Sequence, residues 1–270
     1  MTTTAGGPQT IAWARYPYEG RVVLVTGAGS GIGRSIVRAF LEQGATVCAL
    51  GRNASSLHET VDGYPADRVA VLVADVVSRT DVEAAVASIV ERFSRLDVVV
   101  SNAGLSEPSY IENFSDDSWE RMRSVNLDAM IHVARATVPA LISTRGNFIA
   151  MSSVAGLGGD WGQFAYNATK GAVNALIQSL ALDLGRHGVR VNAIAPAFTS
   201  TRQTQSRLDD PEFLAALLDR VALNAVATPA DIARAALFLA SPDASYITGV
   251  ILPVDGGTTA SSGTPRPIAV

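Results

Sequence analysis

The sequence predicts an α/β fold: a doubly wound parallel sheet of seven strands with helices on both faces. Three observations predict it. Short β-branched and apolar runs alternate with helix-length stretches through almost the whole chain. The runs are apolar without an in–out alternation, as expected of strands covered on both faces. A glycine-rich turn joins the first run to the first helix, at the edge where such sheets take up ligands.

The elements follow in order. "RVVLVTG" (21–27) is the first strand, and an amphipathic helix runs from Ile32 to Gln43. "TVCALG" (46–51) and "VAVLVAD" (69–75) are the second and third strands, the latter followed by a helix over Arg79–Ser94. "DVVVSNAG" (97–104) is the fourth strand, with a long helical region over Asp116–Ser143. "GNFIAMSS" (146–153) is the fifth, and a long helix then reaches the glycine at 188. "VRVNAIAP" (189–196) is the sixth, "TPADIARAALFLAS" (228–241) is a late helix, and "GVILPVDGG" (249–257) is the seventh strand. No solenoid repeat and no linker interrupts this series, so one domain over 20–257 is expected. Residues 1–19 read as an arm and 258–270 as a tail, both rich in Thr, Gly, Ser or Pro. Trp13 and Tyr16 are candidate anchors should the arm pack on a neighbouring subunit.

Composition narrows the function. The chain has 270 residues, 48% of them hydrophobic and 17% charged, which suits a large core and not a disordered segment. The net charge is −4, and no strongly basic run suggests nucleic acid or an anionic membrane surface. No apolar stretch approaches the ~20 residues that span a bilayer. The first residues lack the pattern of a secretory signal. The single cysteine, Cys48, has no partner for a disulfide and fits a reducing compartment. A cytoplasmic protein is expected. His58, His132 and His187 have no metal-ligand spacing, so no metal is expected.

"VTGAGSGIGRS" lies between the first strand and the first helix. Backbone amides at a helix N-terminus hold a diphosphate, and glycines let the backbone approach it. The usual G-x-G-x-x-G spacing does not fit from Gly27, because Ile32 falls in its sixth position; the glycines are Gly27, Gly31 and Gly33. The second strand closes with Gly51 and Arg52, where an NAD-binding protein commonly has a carboxylate for the ribose 2′-hydroxyl. A guanidinium there can grip a 2′-phosphate instead. NADP(H) is therefore favoured, with NAD(H) the alternative. Tyr166 and Lys170 stand four residues apart in "YNATK". At that spacing both lie on one helix face, and a lysine beside a phenol is expected to lower its pKa from the usual ~10.

Thr26–Gly33 as T-G-x-x-x-G-x-G, "NAG" at 102–104, Asn126, Ser153 and Y-x-x-x-K at 166–170 together resemble the short-chain dehydrogenase/reductase family over roughly Gly20–Gly257. That resemblance implies a Rossmann fold. It implies a catalytic set of Asn126, Ser153, Tyr166 and Lys170. Ser153 is chosen over Ser152 because family members place the serine thirteen residues before the tyrosine; Ser152 then points to the other face. Cofactor contacts are implied at Gly27, Ser30, Gly31, Ile32, Gly33 and Arg52, at Asp75 and Val76 beside the adenine, and at Asn102, Ala103 and Gly104 along the wall. Tyr166 and Lys170, then Pro196, Thr199 and Thr201, complete them. Two departures are visible: Ala197 stands where the family often has glycine, and Ser30 where NADP-preferring members often carry a basic residue.

The implied activity is reversible conversion of a secondary alcohol and a ketone by hydride transfer. Tyr166 would move the proton, Ser153 would steady the oxygen, Lys170 would hold the nicotinamide ribose, and Asn126 would support a water relay to the lysine. A non-catalytic dinucleotide sensor would show a broken catalytic set, and the set is complete. An epimerase or dehydratase on this scaffold usually adds a larger C-terminal domain, and little chain follows the sixth strand. The segment Phe198–Val226 is expected to cover the pocket, with Ser106, Trp161 and Phe164 as lining candidates. The substrate is expected to be a small-molecule ketone or alcohol, with an apolar, cyclic or aryl ketone favoured and a sugar alcohol or an acyl thioester as alternatives, and the chain a homo-oligomer, dimer or tetramer.

Overall fold

The structure is a computed structural model that describes residues 14–263. Seven strands, β1 (Val22–Thr26), β2 (Thr46–Gly51), β3 (Val69–Val73), β4 (Val98–Ser101), β5 (Asn147–Met151), β6 (Arg190–Pro196) and β7 (Ile251–Val254), form one sheet in the order β3-β2-β1-β4-β5-β6-β7. Every pairing is parallel. The chain winds outward from β1 through β2 to β3, then returns to pair β4 beside β1. That reversal opens a crevice at the carboxyl ends of β1 and β4.

Nine α-helices connect the strands: α1 (Gly31–Glu42), α2 (Ala54–Val61), α3 (Arg79–Phe93), α4 (Asp116–Arg123), α5 (Ala129–Thr144), α6 (Phe164–Gly185), α7 (Gln205–Leu208), α8 (Pro211–Asp219) and α9 (Pro229–Ala240), counted among the described residues. The central strands bury whole sequences, VVLVT in β1 and NFIAM in β5, because each face is covered. One core joins α3, α5 and α6 to the sheet through Val86, Leu141, Phe148 and Ile177. The other joins α1 and α9 through Ile36, Phe40, Ile149 and Leu237.

Several details depart from expectation for physical reasons. Helix α2 was not foreseen: ASSLHETV buries only Leu57, Thr60 and Val61 and so shows little apolar period. It starts because Asn53 caps it, accepting from Ser56 N. β3 ends at Val73, so Asp75 and Val76 lie in the turn before α3 rather than in the strand. The rod expected over 116–143 is interrupted by a π-helical stretch, Ser124–Asp128. The arm's last residues are part of the domain. Tyr18 is buried, meets Phe40 edge-on at 4.9 Å and donates to Leu237 O. Tyr16, a candidate anchor should the arm pack on a neighbour, lies 6.1 Å from Tyr18 within the same chain. Trp13 and the tail beyond residue 263 lie outside the described residues.

Gly33 packs α1 against the end of β1. A Cβ there would lie 2.2 Å from Gly27 O and 2.7 Å from Asn102 Nδ2. Gly33→Ala is therefore expected to cost about 1–3 kcal/mol of stability by overpacking. Thermal unfolding checks this, with a fall of roughly 2–4 °C in Tm per kcal/mol.

Candidate active site

The sheet's carboxyl edge collects nearly every residue singled out in the sequence. Gly27 to Gly33 follow β1, Arg52 follows β2, Asp75 and Val76 follow β3, and Asn102 to Gly104 follow β4. Ser152 and Ser153 follow β5, while Pro196 closes β6 just ahead of Thr199 and Thr201. A parallel sheet delivers all its loops of this type to one side, which is why scattered positions converge.

The β1–α1 turn is built for an anion. Gly27 and Gly31 have φ of 64° and 50°, which other residues rarely adopt. Ser30 is the N-cap of α1, but its side chain caps nothing, and the first turn holds no acidic residue. The leading amides of α1, at Gly31, Ile32 and Gly33, are left for an outside acceptor. The wall opposite is locked in place. Thr26 Oγ1 accepts from Asn102 N at 3.0 Å and Ala103 N at 3.1 Å, and Asn102 Nδ2 donates to Thr26 O at 3.0 Å. Arg52 is exposed, and among the described residues no hydrogen bond or ion pair holds its guanidinium. In the turn after β3, Asp75 Oδ1 accepts from Val77 N at 3.1 Å and Val76 is buried.

The two serines separate as the strand alternation requires. Ser152 turns to Asn174, 2.5 Å from its Oδ1. Ser153 caps a short 3-10 turn and accepts from Ala155 N at 3.1 Å. Tyr166 and Lys170 occupy one face at the start of α6, with Lys170 Nζ 5.6 Å from the phenol ring centre. Lys170 is buried, and its ammonium donates to Met151 O at 2.8 Å.

Burial changes the expected electrostatics. Sequence spacing implied that Lys170 would pull the phenol pKa down. Instead burial pushes Tyr166 up, with the nearby Ser153 hydroxyl acting against it. Burial also pulls the Lys170 amine down to about 8. The lysine is a neighbour in space, but its hydrogen bond goes to the strand end and not to the phenol.

Asn126 comes from the π-helical stretch and is buried. Its Oδ1 accepts from Leu105 N at 2.7 Å, and its Nδ2 donates to Leu105 O at 2.8 Å and Thr169 Oγ1 at 3.1 Å. No direct bond joins it to Lys170. The two meet around Gly104, where a Cβ would lie 3.5 Å from Asn126 Oδ1 and 3.6 Å from Lys170 Nζ. Thr169 and Leu105 are partners the sequence reading missed; their role rests on tertiary contact and leaves no motif.

After β6, Ala197 needs no positive φ, so alanine is tolerated there. Thr199 pairs with Ala227, and Thr204 Oγ1 donates to Thr199 O at 2.7 Å. Thr201 reaches back to α1: its Cγ2 is 3.2 Å from where a Gly31 Cβ would stand. Farther along, Arg207 lies over the rings of Phe198 and Phe213 at 5.5 and 4.2 Å. Ser106 Oγ lies 3.0 Å from Gln163 Oε1, tying the loop after β4 to the residue that opens α6. Trp161 is 91% exposed on the segment between Ser153 and Tyr166, where Leu157 is exposed too; Tyr110 and Ile111 in the loop after β4, and Phe164 at the start of α6, are also exposed.

Comparison with known proteins places the chain among relatives. A family model described as enoyl-(acyl carrier protein) reductase matches residues 27–259. The chain is 36% identical to a meso-2,3-butanediol dehydrogenase of Serratia marcescens over 249 residues, covering 92% of this chain and 98% of the relative. It is 39% identical to a galactitol 2-dehydrogenase (L-tagatose-forming) of Cereibacter sphaeroides over 246 residues, covering 89% and 96%. The crystal structure of gox2181 superposes with a TM-score of 0.86 at 32% identity, covering 90% of this chain and 97% of that one. Among the described residues no helix is long and apolar enough to cross a membrane.

The buried ammonium carries a stability signature. Between pH 8 and the ordinary lysine value of 10.5, the unfolded chain keeps a proton that the folded chain has lost. Below pH 8 both states hold it, and the folded state bears the full cost of the buried charge. Wild-type stability is thus expected to rise relative to Lys170→Met across that window, by at most about 1.4 kcal/mol per pH unit. Urea unfolding of both proteins at pH 7 to 10 measures the difference; a constant gap would show that the amine titrates normally.

Proposed function

The chain belongs to the short-chain dehydrogenase/reductase family, NAD(P)-dependent oxidoreductases acting on CH–OH donors, and we propose that it interconverts a secondary alcohol and a ketone through Ser153, Tyr166, Lys170 and Asn126. The observation that carries this reading is geometric: Lys170 Nζ lies 5.6 Å from the Tyr166 ring centre and donates to Met151 O, two residues before Ser153 at the carboxyl edge of β5. Hydroxyls of Ser153 and Tyr166 gathered there can meet one substrate oxygen together.

The β1–α1 turn fits a dinucleotide: glycines at positive φ, an uncapped helix start and no acidic side chain in its first turn. Gly27, Ser30, Gly31, Ile32 and Gly33 would hold the diphosphate, Asp75 and Val76 the adenine, and Asn102, Ala103 and Gly104 the wall. Pro196, Thr199 and Thr201 would border the nicotinamide. When bound, the nicotinamide supplies the hydride acceptor or donor.

This chain's residues handle the proton. With its pKa raised by burial, the Tyr166 phenol is protonated near neutral pH and is poised to donate to an oxygen gaining negative charge. Ser153 donates a hydrogen bond to the same oxygen and stabilises it. In the oxidising direction the phenol must first lose its proton, and the Lys170 ammonium beside its ring favours that loss. Lys170 would also hold the nicotinamide ribose. Asn126 holds the Gly104–Leu105 turn and would support a water beside the lysine.

Arg52 supports NADP(H) over NAD(H): no carboxylate precedes it in β2, and among the described residues no partner holds its guanidinium. The exposed Tyr110, Ile111, Leu157, Trp161 and Phe164 around the site support a substrate whose remainder is apolar. Ile131 on α5 and Leu182 on α6, both exposed, support a homo-oligomer.

Tyr166→Phe is expected to lower turnover at least about a hundredfold while cofactor affinity stays within twofold. Steady-state rates with fluorescence titration of cofactor test this; undiminished turnover would sink the mechanism. Arg52→Ala is expected to weaken NADPH binding about tenfold and leave NADH binding unchanged. Equal losses for both cofactors would remove the case for a 2′-phosphate contact.

A further inference from the structure

The glycine turn can offer its amides to a diphosphate only if its peptide planes are held the right way round. Peptide N–H and C=O groups point in opposite directions, so fixing a carbonyl on one side fixes the following amide on the other. Two carbonyls of this turn are fixed from behind. Arg34 Nη2 donates to Gly29 O at 2.7 Å, and Thr60 Oγ1 lies 3.1 Å from Ala28 O. The amides that follow these carbonyls belong to Gly29 and Ser30, beside the uncapped start of α1.

Arg34 is itself held by α2. Its Nη1 and Nη2 meet Glu59 Oε1 and Oε2 at 2.7 and 3.0 Å, and its Nε donates to Thr60 Oγ1 at 3.2 Å. The guanidinium also keeps the Glu59 carboxyl below its usual range. Arg38 adds bonds to the Thr60 and Glu59 carbonyls at 3.1 and 3.0 Å. Thr60 is fully buried, and its hydroxyl lies 2.8 Å from Ser56 O as well. α2 begins just after Arg52, so one short helix stands behind both the turn and the end of β2.

We propose that Arg34, Glu59 and Thr60 are positioning residues for the cofactor diphosphate, holding the Ala28–Ser30 peptide planes with their amides facing the ligand. None of the three touches the cofactor. The proposal rests on the reading that a dinucleotide binds the β1–α1 turn. Because the diphosphate is common to both cofactors, NADPH and NADH affinity fall together when the brace is cut. Turnover at saturating cofactor is retained, since Tyr166 and Ser153 sit on other elements.

The test uses Arg34→Met and Thr60→Val in the full chain, with circular dichroism confirming the fold. Arg79→Met serves as a control, because Arg79 also pairs with a carboxylate, Glu83 at 2.7 Å, but on an exposed face of α3. Fluorescence titration with NADPH and NADH is expected to give Kd values raised about tenfold for both cofactors in both variants, with their ratio unchanged. The cofactor KM is expected to rise in parallel while kcat stays within twofold, and the control is expected to match wild type. Should Arg34→Met fail to fold, Thr60→Val decides, since it removes one hydroxyl and keeps the shape. Affinities within twofold of wild type, a loss confined to NADPH, or a fall in kcat at unchanged KM overturns the proposal. If the wild-type chain binds neither cofactor, the dinucleotide reading fails and takes the brace with it; if it binds and the variants bind equally, the brace alone fails.

Discussion

The junction of β1 and β4 is the constraint on which the site depends. These strands lie side by side, yet two strand–helix units separate them in the chain. Nothing local in the sequence keeps their carboxyl ends in register. Thr26 and Asn102 do: the threonine hydroxyl takes two amides from the β4 side, and the asparagine amide returns to the β1 backbone at Thr26 and Gly27. Those bonds set the width of the crevice. They also set the distance from the glycine turn to Gly104, and Gly104 separates Asn126 from Lys170. A small slip at this junction would therefore move the glycine turn relative to Asn126 and Lys170.

The second constraint is electrostatic. Lys170 brings a positive charge into the interior, and desolvation works against that charge. One strand-end carbonyl, Met151 O, is the protein's compensation. The same peptide segment leads directly into Ser152 and Ser153. Anchoring the lysine thus also helps fix the point at which the chain leaves β5, and with it Ser153. The Tyr166 phenol, buried beside this charge, keeps its proton until something tips the balance. A site left in that condition suits proton transfer better than one in which the lysine is tied up in an ion pair.

Much of the fold was legible in the sequence because its signals are local. Seven apolar runs became seven strands, with boundaries differing by a few residues, and the glycine turn, "NAG" and Tyr166–Lys170 all arrived at one edge. The failures were of another kind. α2 was missed because its buried face is only three residues wide. The π-helical stretch was invisible because side-chain pattern does not record which carbonyl a backbone amide chooses. Yet that extra residue per turn belongs to the segment that delivers Asn126 to Leu105 and Thr169. The sign of the Tyr166 shift was misread because spacing reports neighbours and says nothing of depth. Arg34, Glu59 and Thr60 look like ordinary surface helix residues in the sequence; only the meeting of α1 and α2 gives them a common target.

Substrate choice is less legible than chemistry, and the structure gives a reason. The groups proposed to react sit on strand ends and on α6, where the sheet dictates their position. The segment after β6 is organised mostly by its own contacts: Thr204 gathers Thr199 and Thr201, and Arg207 lies over Phe198 and Phe213. It meets the rest through the Thr199–Ala227 pairing, the Leu223 amide on Gly256 O, Val221 and Ala222 against Gly256 and Gly257, and Thr201 against Gly31. Arg207, Phe198 and Phe213 touch one another, so that cluster can be reshaped in sequence without disturbing the strand end and the helix that hold Ser153 and Tyr166. That separation lets one catalytic edge serve many alcohols, and it explains why motifs that fix the reaction say so little about the molecule that undergoes it.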